Sequence, residues 1–402
     1  VVTGRVGALW RRVRRKSPRQ LAQRVVSRLA DAVDLAERDF PLHEADIFDS
    51  TRAGHLARAA RSAPTRIAWI VVPPGIGSGG HTTLFRLIRH AARAGISNTL
   101  FFYDRHNGDF QVNVERLRRG WPDLDCDVQP LPDRLDGFDA YVASAWPTVH
   151  ALATRTEHTA ARRVYFIQDY EPYFSPRGTL STLAEDTYRF GFDNIALGPM
   201  VVRTLERELG VASHVVPFGQ DALAYAHRDD GSPRAGVAFF AKTNNERRGY
   251  RLALLALREF QRRRPDVPVH VYGDTVRETG LRVVNHGYLT PGELDALYNA
   301  VVCGLVLSFT NISLIPAELA AAGAVPVMNE DAAARLVFDN PAAQWAAPTP
   351  TAIADVLERI VGASAAEQQA RARAVAAWRG PSWEETAEAF LAHLGVPAES
   401  QR

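Results

Sequence analysis

"FFAKTNNERRGYRLALLALREF", residues 239–260, closes one apolar run and opens another with a different period. The part up to Lys242 continues "GVAFFAK", a short β-rich run of the kind that forms a buried strand. From Tyr250 onward, leucines and Phe260 recur at helical spacing, and "RRRP" ends the pattern because Pro265 cannot continue a helix. A strand handing over to a helix through a polar loop is the unit of a parallel α/β sheet. The same rhythm runs on both sides of it.

Upstream, "TRIAWIVV" (65–72) reads as a strand and "HTTLFRLIRHAARAG" (81–95) as a helix. The strands "NTLFFYD", "FDAYVAS", "RRVYFIQ", "DNIALG" and "SHVVPFG" follow. Downstream come "VPVHVYG", "LRVVNHG", the helix "PGELDALYNA", "VCGLVLSF", the helix "IPAELAAAG" and "AVPVM". "PFGQDALAY" (217–225) carries the Pro and Gly punctuation of a linker. The expected organisation is therefore two Rossmann-like α/β domains, 41–217 and 218–379, facing each other across a cleft. Residues 380–402 follow, with "GPSWEETAEAFLAHLG" as a helix. Ser382 and Glu385 give it a capping signal, and its stripe of Trp383, Ala387, Phe390 and Leu394 is expected to cross back onto the first domain.

Bulk properties agree with this plan. At 402 residues the chain exceeds the size of one ordinary core. With 46% hydrophobic and 23% charged residues it has a globular composition. Cys126 and Cys303 are the only cysteines, which argues against a disulfide framework and suits a reducing compartment. No apolar stretch approaches the roughly 20 residues needed to span a bilayer, and the N-terminus has no signal-peptide pattern. A cytoplasmic protein is expected.

Net charge is +2, yet residues 1–28 hold nine Arg or Lys and no acid. Val6, Leu9, Trp10 and Val13 repeat there at helical spacing. This 1–40 segment reads either as a basic amphipathic grip on an anionic membrane surface or as a solvated tail or packed helix. Nucleic acid is not expected, since no recognition motif accompanies the charge.

Chemistry concentrates at the predicted strand ends, where ligands of parallel sheets bind. "PPGIGSGGHTT" (73–83) lacks the dinucleotide fingerprint, and its glycines serve either a tight turn or a ligand loop containing Gly79, Gly80 and Thr82, with His81 as a catalytic candidate. Lys242, Arg247 and Arg248 precede a helix N-terminus, where cations oppose the macrodipole unless an anion compensates them. A diphosphate is such an anion; a solvated loop is the alternative. "TNISLIPAELAAAGAVPV" (310–327) offers Asn311, Ser313 and Glu318, the last either a ribose ligand or a favourable first-turn charge. "FIQDYEPYF" (166–174) reads either as an acidic loop with aromatics buried beneath it or as an acceptor site, in which Asp169, the preferred base, or Glu171 takes or orients the acceptor hydroxyl and Tyr170, Tyr173 and Phe174 are faces for a sugar ring. Tyr272 and Gly273 of "YGDT" and Gly287 and Tyr288 of "NHGYLTPGEL" occupy two further strand ends. The Asp-x-Asp pairs of "DLDCD" (123–127) lie in an expected polar turn, and no histidines have metal-ligand spacing.

The second half resembles the nucleotide-sugar domain of GT-B glycosyltransferases of the large family-4-like group. Lys242 and Arg248-Gly249 are similar to its basic pair, and "ELAAAGAVPV" from Glu318 to the second half of its paired-glutamate motif. Thr310 stands where the first glutamate of that motif belongs. "SFTNISLIPAE", "FIQDYEPYF" and "GSGGH" more closely resemble the WsaF-type bacterial rhamnosyltransferases, over most of residues 65–360. The resemblance implies a dTDP-L-rhamnose donor whose ribose Glu318 binds, a glycan or lipid-linked glycan acceptor, and no metal, with Gly287 and Tyr288 near the base. Two rival readings are a GT-B sugar-nucleotide epimerase and a non-catalytic two-lobed sugar-binding protein.

Overall fold

A computed structural model describes residues 40–397 apart from 107, 221–223, 244 and 278–279. The basic amphipathic segment expected at 1–28 lies outside the described residues. The chain divides into two compact units, Val1–Ile47 and Phe48–Arg402. The described part of the first holds one 3-10 turn, Glu44–Asp46.

The second unit contains two parallel sheets. The first joins β1 (Arg66–Val71), β2 (Ser97–Phe102), β3 (Asp127–Pro130), β4 (Ala140–Ala143), β5 (Arg163–Ile167), β6 (Asp193–Leu197) and β7 (His214–Val216) in the order β3-β2-β1-β4-β5-β6-β7. Its helices are α1 (Gly79–Arg93), α2 (Phe110–Gly120), α3 (Trp146–Thr156), α4 (Thr179–Asp186) and α5 (Pro199–Leu209). The second sheet joins β8 (Val237–Ala241), β9 (Val269–Gly273), β10 (Val284–Gly287), β11 (Cys303–Val306), β12 (Val325–Asn329) and β13 (Gln344–Ala346) in the order β10-β9-β8-β11-β12-β13. Its helices are α6 (Tyr250–Arg263), α7 (Pro291–Ala300), α8 (Ile315–Ala321), α9 (Ala334–Val337), α10 (Pro350–Val361) and α11 (Ala365–Ala376). No described helix is long and apolar enough to cross a membrane.

Central strands are apolar because helices cover both of their faces. The strands β4, β5 and β12 are buried throughout, and β1 is buried beyond Arg66. Two elements depart from the sequence reading. The polar turn expected around "DLDCD" runs at Asp127 directly into β3, an edge strand whose polar residues face water. The strand expected at 281–287 pairs only from Val284, also at an edge.

The last helix, α12 (Trp383–His393), belongs to the first lobe's core. Ser382 Oγ accepts from the Glu385 amide, while the Glu385 carboxylate accepts from the Ser382 amide. Phe390 stacks on Trp69 at 5.8 Å and meets the edge of Phe166 at 5.4 Å. The chain therefore crosses between lobes twice. The two crossings run side by side: Gln220 bridges Ser382, the Gln220 amide donates to the Pro381 carbonyl at 3.0 Å, and Thr386 Oγ1 donates to the Pro217 carbonyl.

In each sheet the strand order reverses direction once, between β1 and β4 and between β8 and β11. Loops leaving such neighbouring strands diverge to opposite faces and open a crevice, the usual ligand position in this architecture.

Candidate active site

Both crevices open into one cleft of about 300 Å³. From the first lobe it is lined by Val72 and Ser78–His81 after β1, Ser144 and Ala145 after β4, and Gln168, Asp169 and Glu171 after β5. The second lobe contributes Arg247 and Arg248 after β8 and residues 311–314 after β11. Thus Gly79, Gly80, His81, Asp169, Glu171, Arg247, Arg248, Asn311 and Ser313 come together from four separate stretches of sequence.

Asp169 bridges the lobes. Its Oδ2 accepts from Arg247 Nη1 at 2.8 Å and from Thr310 Oγ1 at 2.8 Å. Its Oδ1 accepts from the amides of Asn311 and Tyr170, both at 2.9 Å. The side chain of Asn311 adds two more cross-lobe bonds, from Nδ2 to the carbonyls of Gln168 and Leu197. This corrects two expectations at once. The preferred base has both oxygens occupied by donors, and the Asn311 amide group is spent on the opposite lobe and not turned to a phosphate.

Glu171 has the opposite character. Among the described residues its carboxyl has one hydrogen-bond partner: Oε2 accepts from the amide of Trp146, the first residue of α3, at 2.6 Å. Burial pushes its carboxyl up to about 8; the Trp146 amide opposes this, Asp169 reinforces it and Arg247 opposes it. A carboxyl titrating near neutrality beside a cleft is suited to exchanging a proton.

The three cations separate into three roles. Arg248 is internal: Nη1 donates to Ser308 Oγ at 2.6 Å and to the Asn311 carbonyl at 2.9 Å, bracing the loop after β11. Burial, with neighbouring Arg247, brings its pKa down to about 10, so it stays charged. Arg247 is one-quarter exposed, pairs with Asp169 and lies over the Phe174 ring at 4.1 Å. Gly249, at φ +64°, lets the chain turn from these arginines into α6; a Cβ there would meet Leu307 at 2.9 Å. Lys242 is exposed and outside the cleft lining, close enough to Asp274 to help lower its pKa after the bonds from Thr243 and Tyr288.

The glycine loop is held by its own side chains. His81 Nε2 contacts the Val72 carbonyl at 3.0 Å and so carries the proton, which leaves Nδ1 to accept from Ser78 Oγ at 2.7 Å. Burial lowers the pKa of this imidazole. His81 is thereby a clasp on the loop, with both nitrogens in use, instead of a free proton carrier. Gly79 and Gly80 begin α1 and bring first-turn amides to the cleft with no side chain in front of them. Thr82 does not join them, because its hydroxyl donates to the Ser78 carbonyl and accepts from Trp121 Nε1; Thr83 lines the cleft instead.

The remaining expected donor contacts lie elsewhere. Tyr272 is a core residue whose hydroxyl pairs with that of Tyr298 at 2.7 Å. Gly273 is demanded by strand packing, since a Cβ would sit 2.6 Å from the Ala241 carbonyl. Tyr288 is 77% exposed, with its hydroxyl donating to Asp274 Oδ1 at 3.0 Å, and Gly287 stands beside it at φ +70° with open space around it. Glu318 is half-buried in the first turn of α8; burial raises the phenols of Tyr272 and Tyr298, and the nearby Glu318 carboxylate adds to the effect. Ser313 Oγ, in contrast, is a buried cleft hydroxyl with no partner among the described residues. Gln168, Ser144, Thr310 and Asp274 were not singled out from sequence as site groups; the position of Gln168 at a strand end was the available signal.

Two family models match the chain: the N-terminal domain of WsaF over residues 132–198 and the C-terminal domain of WsaF over residues 235–358. The O-antigen biosynthesis protein RfbC of Myxococcus xanthus is 29% identical over 370 residues, covering 84% of this chain. The chain spans only 27% of that relative's length. Among solved structures, TarM superposes with a TM-score of 0.64 at 11% identity, covering 82% of this chain and 98% of that one. HepE from Anabaena, solved in complex with UDP, gives 0.56 at 15% identity, with coverages of 79% and 96%. Sucrose-phosphate synthase from Thermosynechococcus elongatus gives 0.56 at 13%, with 82% and 97%. At these identities the structures establish the fold alone. With the two WsaF domain models matched in order on two facing parallel-sheet lobes, the chain has the GT-B fold and is similar to WsaF in both of its halves.

Proposed function

We infer that the chain is a glycosyltransferase that moves a sugar from a nucleoside-diphosphate donor to a glycan acceptor during O-antigen or related polysaccharide assembly. The donor sugar in this reading is L-rhamnose, carried by dTDP, and the acceptor is a glycan or lipid-linked glycan. The basic segment 1–28 would keep the protein near an anionic membrane surface. Support for the general activity comes from the WsaF domain matches and from the O-antigen role in the name of the Myxococcus relative. The observation that carries it is the cleft itself, which sets a proton-titrating carboxyl, Glu171, opposite two arginines from the other lobe.

In the transfer, the bond between the anomeric carbon and the diphosphate oxygen breaks and its electron pair leaves on the diphosphate. The acceptor oxygen bonds to the anomeric carbon and gives up its proton. Arg247, Arg248 and the first-turn amides of α1 take up the diphosphate charge, in place of a metal ion. Each well-aimed donor of this kind is worth about 3 kcal/mol of barrier. Glu171 receives the acceptor proton, the task first assigned by sequence to Asp169. Closure of the cleft keeps out the water that would otherwise hydrolyse the donor.

A thermal-shift screen with dTDP-, UDP- and GDP-sugars tests this reading. A preferred nucleotide at a hundred times its Kd should add about 2.7 kcal/mol of stability. Stabilised protein is then incubated with donor and glycan acceptor. No shift with any nucleotide would overturn the reading, and an isomerised sugar nucleotide without transfer would replace it with the epimerase.

A further inference from the structure

The two cleft arginines differ in how firmly they are held. Arg248 cannot leave without stripping its charged donor from the buried Ser308 hydroxyl and from the Asn311 carbonyl, the two acceptors through which it braces the loop that carries Asn311. Arg247 can. Among the described residues its guanidinium donates a single hydrogen bond, to Asp169 Oδ2, and that oxygen keeps Thr310 Oγ1 when Arg247 is gone. Oδ1 keeps the amides of Asn311 and Tyr170. The carboxylate therefore stays hydrogen-bonded, and the lobes stay bridged, whether or not the guanidinium is present. The Phe174 ring beneath the guanidinium faces the same cleft, so a cationic head can slide across it without losing that contact.

We propose that Arg247 is a transferable cation: it rests on Asp169 and passes to the diphosphate of an incoming donor, while Asp169 remains as the positioning residue that joins the lobes. The proposal rests on the donor reading given under Proposed function. Asp169 thus competes with the donor for one guanidinium, and the fraction of time Arg247 spends on the carboxylate lowers the apparent affinity for the nucleotide. A base at position 169 would have no such effect on nucleotide binding. A carboxylate that merely aims Arg247 at phosphate would have the opposite one.

The test is calorimetric binding of dTDP and UDP to the full chain, with no acceptor present. Asp169→Asn keeps one oxygen for the amides of Asn311 and Tyr170 and lets Thr310 become the acceptor, but it removes the charge. It should bind the preferred nucleotide about fivefold more tightly, the effect of losing one part-buried competing ion pair. Arg247→Gln should bind about tenfold more weakly, and adding Asp169→Asn to it should change nothing further. Unchanged or weaker binding by Asp169→Asn overturns the proposal and leaves the donor reading intact. A wild-type protein that binds no nucleoside diphosphate overturns both. Should Asp169→Asn not fold, Thr310→Val serves instead: with one donor stripped from Oδ2 the carboxylate holds Arg247 harder, and affinity should fall about twofold. Tighter binding by that variant overturns the proposal.

Discussion

Replacing Glu171 by glutamine separates what this buried carboxyl costs the fold from what it contributes to the chemistry. An ordinary glutamate titrates at 4.5, and this one is pushed up to about 8, chiefly by burial. The folded protein therefore holds a proton that the unfolded chain has already released. By linkage, stability falls as pH rises from about 4.5 and levels off above about 8, where both states are ionised. At roughly 1.4 kcal/mol per unit, the loss across that window is about 5 kcal/mol. Glutamine keeps an oxygen for the Trp146 amide and puts an NH2 where the acid proton sits, so it resembles the protonated form at every pH. Glu171→Gln should match the wild type in urea denaturation at pH 5 and exceed it by about 4 kcal/mol at pH 8.5. Transfer to acceptor, assayed with the nucleotide that the screen selects, should fall by about 100-fold or more with KM for the donor little changed. A wild-type stability that tracks the variant from pH 5 to pH 8.5 would refute the raised pKa. Undiminished transfer would refute the role in catalysis.

Arg248→Ala strips the charged donor from Ser308 and from the Asn311 carbonyl, and should cost about 3 kcal/mol in chemical denaturation while abolishing nucleotide-induced thermal shifts. Stability within about 0.5 kcal/mol of wild type would contradict the bracing role. Phe390→Ala opens a cavity between Trp69 and Phe166 in the first lobe, and should cost about 4 kcal/mol by the same measurement. Near-neutrality there would mean that α12 is not part of the first lobe's core.

The buried strands and the helix after β8 were legible because parallel sheets concentrate Val, Ile, Leu and Phe into short runs. The edges were not. "DVQP" of β3 is polar because one side of the strand faces water, and "QWA" of β13 is too short to show a period. Helix α10 carries a readable stripe in Ile353, Leu357 and Ile360, whereas α11 is rich in Ala, Arg and Gln and shows almost none. At the site, the rule that ligands bind beyond strand ends located the glycine loop, the 168–174 turn and the 311–314 loop. It could not say which way side chains point. Tyr272 occupies a strand end but turns into the core, and Asp169 meets partners 78 to 142 residues away, beyond the reach of any local pattern. Thr310 is instructive in this respect. A glutamate there would set a second carboxylate against Asp169, so the departure from the family motif is consistent with the bridge that the hydroxyl makes.

The paired crossings at Gln220 and Ser382 govern how the molecule can move. A single tether would let one half swivel and tilt freely against the other. Two strands of chain, tied to each other by the Gln220 amide and the Pro381 carbonyl, restrain that swivel more than one strand would. That restraint acts together with the bonds of Thr310 and Asn311 to Asp169, so the register between the lobes is fixed at two separate places.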